Sequence, residues 1–117
     1  MKFRFGIILL SVLISNSMMA HGDTITIMGT TVTRTMVTSD SAFGGCMAQI
    51  AVPVGGGCTG NWVTFSCTAD FIDKDRAYRM MDMAQMAYTL SKRVNVFIDN
   101  TKKHNGYCFV SRIDVYN

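Results

Sequence analysis

The sequence contains no glutamate, one proline, one tryptophan and two histidines in 117 residues. Each scarcity excludes something. Acid–base catalysis by a carboxylate pair would have to draw on eight aspartates, and these are scattered along the chain. Nucleophilic catalysis needs a base, and the only histidines are His21 and His104, the first of them close to the N-terminus. No CxxC pair occurs, and the cysteines have no partnering pair of histidines, so neither a metal nor another cofactor is expected. The chain reads as non-enzymatic.

Its principal apolar run, Phe5 to Ile14, is too short to cross a bilayer as a stable helix and follows Lys2 and Arg4. Residues 1–22 therefore read as a secretory signal peptide. Small residues at the peptidase-facing positions favour cleavage after Gly22, with Ala20 and Ser17 as alternatives. The mature chain would be a single domain of 117 − 22 = 95 residues, residues 23–117, secreted or periplasmic, with no transmembrane segment. Losing Lys2 and Arg4 leaves nine basic against eight acidic residues, a net charge of +1. That balance lacks the basic excess of a general nucleic-acid binder.

A domain this small has a thin core and gains from covalent staples. Cys46, Cys58, Cys67 and Cys108 supply two disulfides in an exported protein, with three possible pairings. A hairpin register with Val52 opposite Asn61 places Cys46 opposite Cys67 and leaves Cys58 for Cys108.

Along the chain, Thr24 to Thr38 is β-branched and alternating, with Gly29 as a bend or bulge. It reads as one long strand or two short ones. Ser39 to Gly45 is loop chemistry, Cys46 to Val52 a second strand and Asn61 to Cys67 a third. Asp73 is an N-cap for one helix from Lys74 to Arg93, followed by strands at Val94 to Asp99 and Tyr107 to Tyr116 with the turn NTKKHNG between them. The order, three strands, a helix and two strands, predicts a mainly β fold with one long helix. It is the order of a five-stranded OB-fold barrel, and an open sheet covered by a helix is the competing architecture.

The helix carries Met80, Met81, Met83 and Met86 within seven positions. At about 100° per residue, Leu90, Met83, Ala87, Met80, Ala84, Ala77, Tyr88 and Met81 share an arc of roughly half the circumference. The thioethers spread too widely to converge on one copper ion, and no histidine or cysteine stands beside them. They read as packing. The arc is wider than one barrel end requires, and Met86 falls outside it. Met80, Met83 and Met86 are therefore expected at an interface between copies of the chain.

The segment from Asp73 to Asn117 resembles the C-terminal half of the pentameric B subunits of bacterial A-B toxins, of the cholera and heat-labile enterotoxin type. Shared are a long helix with a central methionine-to-Ala-Tyr stretch, here Met81 to Tyr88, a following strand, and a turn carrying Asn100, Lys102 and His104. Four cysteines, a W-x-x-F before the helix and a GYC opening the last strand are closer to the subtilase-toxin and typhoid-toxin B subunits. The resemblance implies an OB-fold, a homo-oligomer in a ring of five with helices lining the pore, a toxin A subunit as partner, and binding of host cell-surface glycans. It carries Asn100 and Lys102 over as sugar-binding residues, with His104 in the same turn. Ile98 and Asp99, however, occupy the place of the family's stacking tryptophan. Trp62 is the remaining aromatic platform if it faces outward, and core if it faces inward.

The expected function is that of a secreted, glycan-binding B-type subunit. The alternative is a periplasmic or secreted OB-fold module outside any toxin, binding a protein or an oligonucleotide.

Overall fold

The computed structural model describes residues 24–117. The expected leader, its cleavage positions and His21 lie outside the described residues. Among the described residues the protein is mainly β, with one α-helix. Its strands are β1 (Thr24–Val37), β2 (Cys46–Ile50), β3 (Trp62–Thr64), β4 (Arg93–His104) and β5 (Tyr107–Tyr116), and its helix, α1 (Lys74–Thr89), lies between β3 and β4 in the chain. Neighbouring strands follow the order β1-β2-β3-β5-β4, and β4 pairs back onto β1, so the sheet closes on itself.

β1 is long enough to serve two neighbours. Its first half pairs with β4 and its second half with β2. Gly29 makes a bulge within the first half: its φ of 66° sits where the β1–β4 register slips between Ile27 and Thr30. The Gly29 N–H is captured by Asn95 Oδ1 at 2.9 Å.

The β2–β3 register differs from the sequence expectation. Met47 lies opposite Thr64, Ala48 opposite Val63 and Gln49 opposite Trp62, two residues away from the register that sets Val52 against Asn61. Asn61 causes the difference by clamping Ile50 instead: its backbone O accepts from the Ile50 N–H and its Nδ2 donates to the Ile50 O, both at 2.9 Å. A slip of two preserves which face each side chain occupies. β3 also stops at Thr64 rather than reaching Cys67, because Ser66 takes a φ of 60° and turns the chain out of the ladder. That turn brings Cys67 back to bond Cys46, with Cα atoms 5.6 Å apart, while Cys58 bonds Cys108.

Two further boundaries move. α1 begins where expected, with Asp73 Oδ1 accepting from the Arg76 N–H at 3.0 Å, but ends at Thr89 rather than Arg93. Ser91 is left-handed at φ 52°, and the Lys92 N–H returns to the Ala87 carbonyl at 2.9 Å, which closes the helix in a Schellman-like cap. Past the other end of the expected fourth strand, NTKKH is not a turn. β4 continues to His104, with Asn100 to Lys102 accommodated where the β4–β5 register slips between Asp99 and Lys103. The turn itself is Asn105–Gly106, both at positive φ as a two-residue type I′ hairpin requires.

The core lies inside the closed sheet, where Ile50, Val63, Phe65, Val94, Val96, Ile98 and Val110 are almost wholly buried with the Cys46 and Cys108 sulfurs. Each large apolar side chain contributes about 2 kcal/mol by burial. α1 adds Ala77, Met81, Ala84 and Ala87 to this core. Three alanines let the helix backbone approach closely, so the covered stripe is narrower than the expected arc. Tyr88 and Leu90, on that arc, are 51% and 57% exposed.

Candidate functional site

Strands β2 and β3 turn Ala48, Ile50 and Val63 to the core, so alternation places Met47, Gln49 and Trp62 on the other face, where Met47 is covered and only 1% exposed. Met36 of β1 stands opposite Met47 and joins them. Two loops raise walls over this face. In the β1–β2 loop a single 3-10 turn, Ser41–Phe43, is capped by Asp40 Oδ1 accepting from the Ala42 N–H and closed by Gly44 at φ 72°. Thr64 Oγ1 pins it by donating to the Phe43 carbonyl at 3.1 Å. The β4–β5 hairpin contributes Tyr107, whose ring centroid is 5.9 Å from that of Phe43.

The result is a cleft of about 160 Å³ lined by Met36, Phe43, Met47, Trp62 and Tyr107. Trp62 is half-buried, one side of it in the cleft, and the Arg34 guanidinium lies 5.6 Å from its ring centroid. Arg34 has no carboxylate partner among the described residues. Beside Trp62, Gln49 Nε2 donates to Asn61 Oδ1 at 3.3 Å. Aromatic faces, thioethers and a cation can hold a ring or an apolar side chain.

His104 lies directly beneath these walls. It was expected in a solvated turn and is 8% exposed. Its Nε2 is 3.1 Å from Ser66 Oγ and 3.5 Å from Asp70 Oδ2, and its ring packs 4.5 Å from that of Phe71. Because Ser66 Oγ accepts from the Phe71 N–H at 3.1 Å, its own proton is free to be donated to the imidazole. His104 therefore acts as internal support, with Nε2 engaged by Ser66 and Asp70 inside the protein.

The other carried-over residues lie apart from the Trp62 cleft. Asn100 Nδ2 donates to the Gly56 carbonyl at 3.0 Å, and its Oδ1 is buried without a hydrogen-bond partner, so the amide faces the glycine-rich loop. Lys102 is 4.0 Å from Asp99, and its Nζ lies 5.9 Å from the Phe109 ring centroid. Asp99 is held below the usual carboxylate range, chiefly by the hydrogen bond from the Thr101 hydroxyl at 2.5 Å, then by the Thr101 N–H at 2.9 Å and by Lys102. Burial acts in the opposite direction, more strongly than Lys102 does.

On α1, Met80 and Met83 are half-buried and Met86 is 44% exposed. Two hollows flank the helix. One, of 360 Å³, is lined by Arg79, Asp82, Met83 and Met86. The other, of 440 Å³, lies between Met80 and β5. No cluster of metal-binding side chains occurs among the described residues, and no helix among them is long and apolar enough to cross a membrane.

Sequence reading singled out Trp62 but missed Arg34, Met36, Phe43, Met47 and Tyr107. The available signal was Met36 and Trp62 falling on outward positions next to two loops that each carry an aromatic residue, SAFGG and NGY. No protein-family model and no curated protein matches the chain.

Proposed function

We propose that the protein is an exported, non-enzymatic binding subunit with an OB-fold that takes host-cell glycans in the Trp62 cleft and acts as a homo-oligomer, in the manner of an A-B toxin B subunit. The observation that carries this reading is the position of the cleft: the β2–β3 face walled by the β1–β2 loop and the β4–β5 hairpin. OB-folds use that face and those two loops for oligosaccharides and oligonucleotides. The strand order, returning from β4 to β1, and the parallel contact of β3 with β5 support the OB-fold assignment. Two disulfides fit an oxidising compartment outside the cytoplasm. The ring of five and the toxin A subunit rest on the resemblance of the C-terminal half.

Sugar recognition pairs an aromatic face with hydrogen-bonding groups, and here Trp62 supplies the first while Arg34 and the Tyr107 hydroxyl supply the second. A glycan array probed with the oxidised, exported protein tests the reading. Binding to a defined set of sialylated or galactosylated structures, lowered at least about tenfold by Trp62→Ala, is the expected result. Silence across the array overturns it.

One observation favours the alternative of a protein-binding module. Four of the five cleft residues are methionine or hydrocarbon-rich aromatics, Met36, Phe43, Met47 and Trp62. Such a lining also suits an apolar side chain of a protein partner.

A further inference from the structure

Strand β5 pairs with β4 from Tyr107 to Tyr116, whereas β3 meets its other edge at one position, Thr64 opposite Phe109. Beyond Phe109 that edge has no strand partner among the described residues, because β3 has already turned away at Ser66. Facing the edge, between β5 and the first half of α1, is the hollow of 440 Å³, floored by Ile72, Met80 and Ile113 and rimmed by Arg76, Arg79 and Arg112. An unpaired edge over an apolar floor is a template for another strand.

We propose that this edge joins two copies of the chain, β5 pairing antiparallel with β5 of the second copy about Ile113. The charges on the strand select both the partner and the register. In a pairing centred on Ile113, Arg112 of each copy stands opposite Asp114 of the other, twice, as a two-fold interface requires. A slip of one residue pair either way sets Arg112 against Arg112 or Asp114 against Asp114. Within one copy Arg112 already binds Asp114, with Nε 2.8 Å from Oδ1 and Nη2 3.1 Å from Oδ2, on the outer face beside Phe97. In that pair Arg112 is 63% exposed and Asp114 33%, so the guanidinium is the partner free to move across to the second copy. The interface has room to grow along the helix, since Arg79 lines both the β5 hollow and the hollow at Met83 and Met86.

The inference rests on the self-association in the reading above and assigns it a surface and a symmetry: pairs of copies rather than a ring of five. Sedimentation of the oxidised, exported protein, alone and with Arg112→Asp, Asp114→Arg or both, tests it. A dimer is expected. Each single reversal sets like charges opposite one another and weakens association at least about tenfold, and the double reversal restores it. Thermal melts of the dilute variants show that each is folded. Without any variant, amide exchange in β5 beyond Phe109 should slow as protein concentration rises. A pentamer indifferent to these charges overturns the pairing and leaves the oligomeric reading standing. A dimer that ignores both single reversals also overturns it, and a monomer at every concentration removes both ideas. Glycan binding is read independently on the array.

Discussion

Gly44 rests on the imidazole of His104 so closely that a Cβ at position 44 would stand 2.5 Å from His104 Cδ2 and from Thr64 Oγ1. The loop that carries Phe43 into the cleft is thus seated on a buried histidine, which Ser66 holds from the other side. Cleft wall and support are one packed unit.

Gly44→Ala should therefore cost more than its side chain alone implies. The residue is left-handed at φ 72°, and its two neighbours are a ring and a buried hydroxyl with little freedom to retreat. A loss of about 2–3 kcal/mol in denaturant unfolding is expected, with any ligand binding at Trp62 weakened in the variant that remains folded. A change under about 0.5 kcal/mol would show that the loop is not seated as described.

His104→Ala removes the hydrogen bond between the Ser66 hydroxyl and Nε2 and leaves a void beside Phe71. The expected destabilisation is about 2–4 kcal/mol. His104→Gln, which can accept from Ser66 but cannot pack like a ring, should recover part of it. Equal losses in the two variants would contradict the role given to the hydrogen bond.

The two disulfides close loops of different length, 21 residues for Cys46–Cys67 and 50 for Cys58–Cys108. Chain entropy alone assigns them about 3 and about 4 kcal/mol. Cys46 and Cys67 are also buried among Ala48, Val63 and Phe65. Replacing both by alanine adds a packing loss that the half-exposed Cys58 does not. Calorimetry of the two double-alanine variants should therefore find comparable losses, both lowering Tm by more than 10 °C or so in a domain of this size.

Asp99 gives the molecule an acid-sensitive element. Its carboxylate is depressed by Thr101 and Lys102, so the folded state holds its proton more weakly than the unfolded chain does. The resulting stability is present above the unfolded carboxylate pKa and is lost as pH falls through the folded one. Urea midpoints of the wild type should drop across that acidic range, and Thr101→Val should flatten the drop while lowering stability at neutral pH. An unchanged slope in Thr101→Val would remove Thr101 as the cause.

Lys102→Ala should leave binding at the cleft unaltered, since Lys102 sits with Asp99 and Phe109 and does not line the Trp62 cleft. Titration of a glycan found on the array, side by side with Trp62→Ala, separates the two. Loss of binding in Lys102→Ala would return the site to the turn where the toxin resemblance places it.

The sequence was most readable where one local signal decides the outcome. Asp73 announces the helix start, Gly29 the bulge, and the alternation of Tyr107 to Tyr116 the last strand to its ends. It was least readable where a contact far along the chain decides. Nothing near Asn61 says that its amide clamps Ile50 and so shifts a register. Nothing near Ser66 says that a serine will turn left-handed and end a strand. The cleft is a composite of this second kind: its residues come from β1, the β1–β2 loop, β2, β3 and the hairpin, and only the closed sheet brings Met36 and Tyr107 together. Lys102 and His104, adjacent in the motif that invited their transfer, differ in exposure because β4 runs past the slip and carries His104 inward.

The single Thr64–Phe109 rung is all that pairs β3 with β5, and beside it the Cys58–Cys108 bridge ties the loop ahead of β3 to β5. Sulfur does there what a ladder of peptide bonds does around the rest of the circumference. The molecule is thus fully latched only after oxidation, and while its thiols are reduced its wall should gape first along that line.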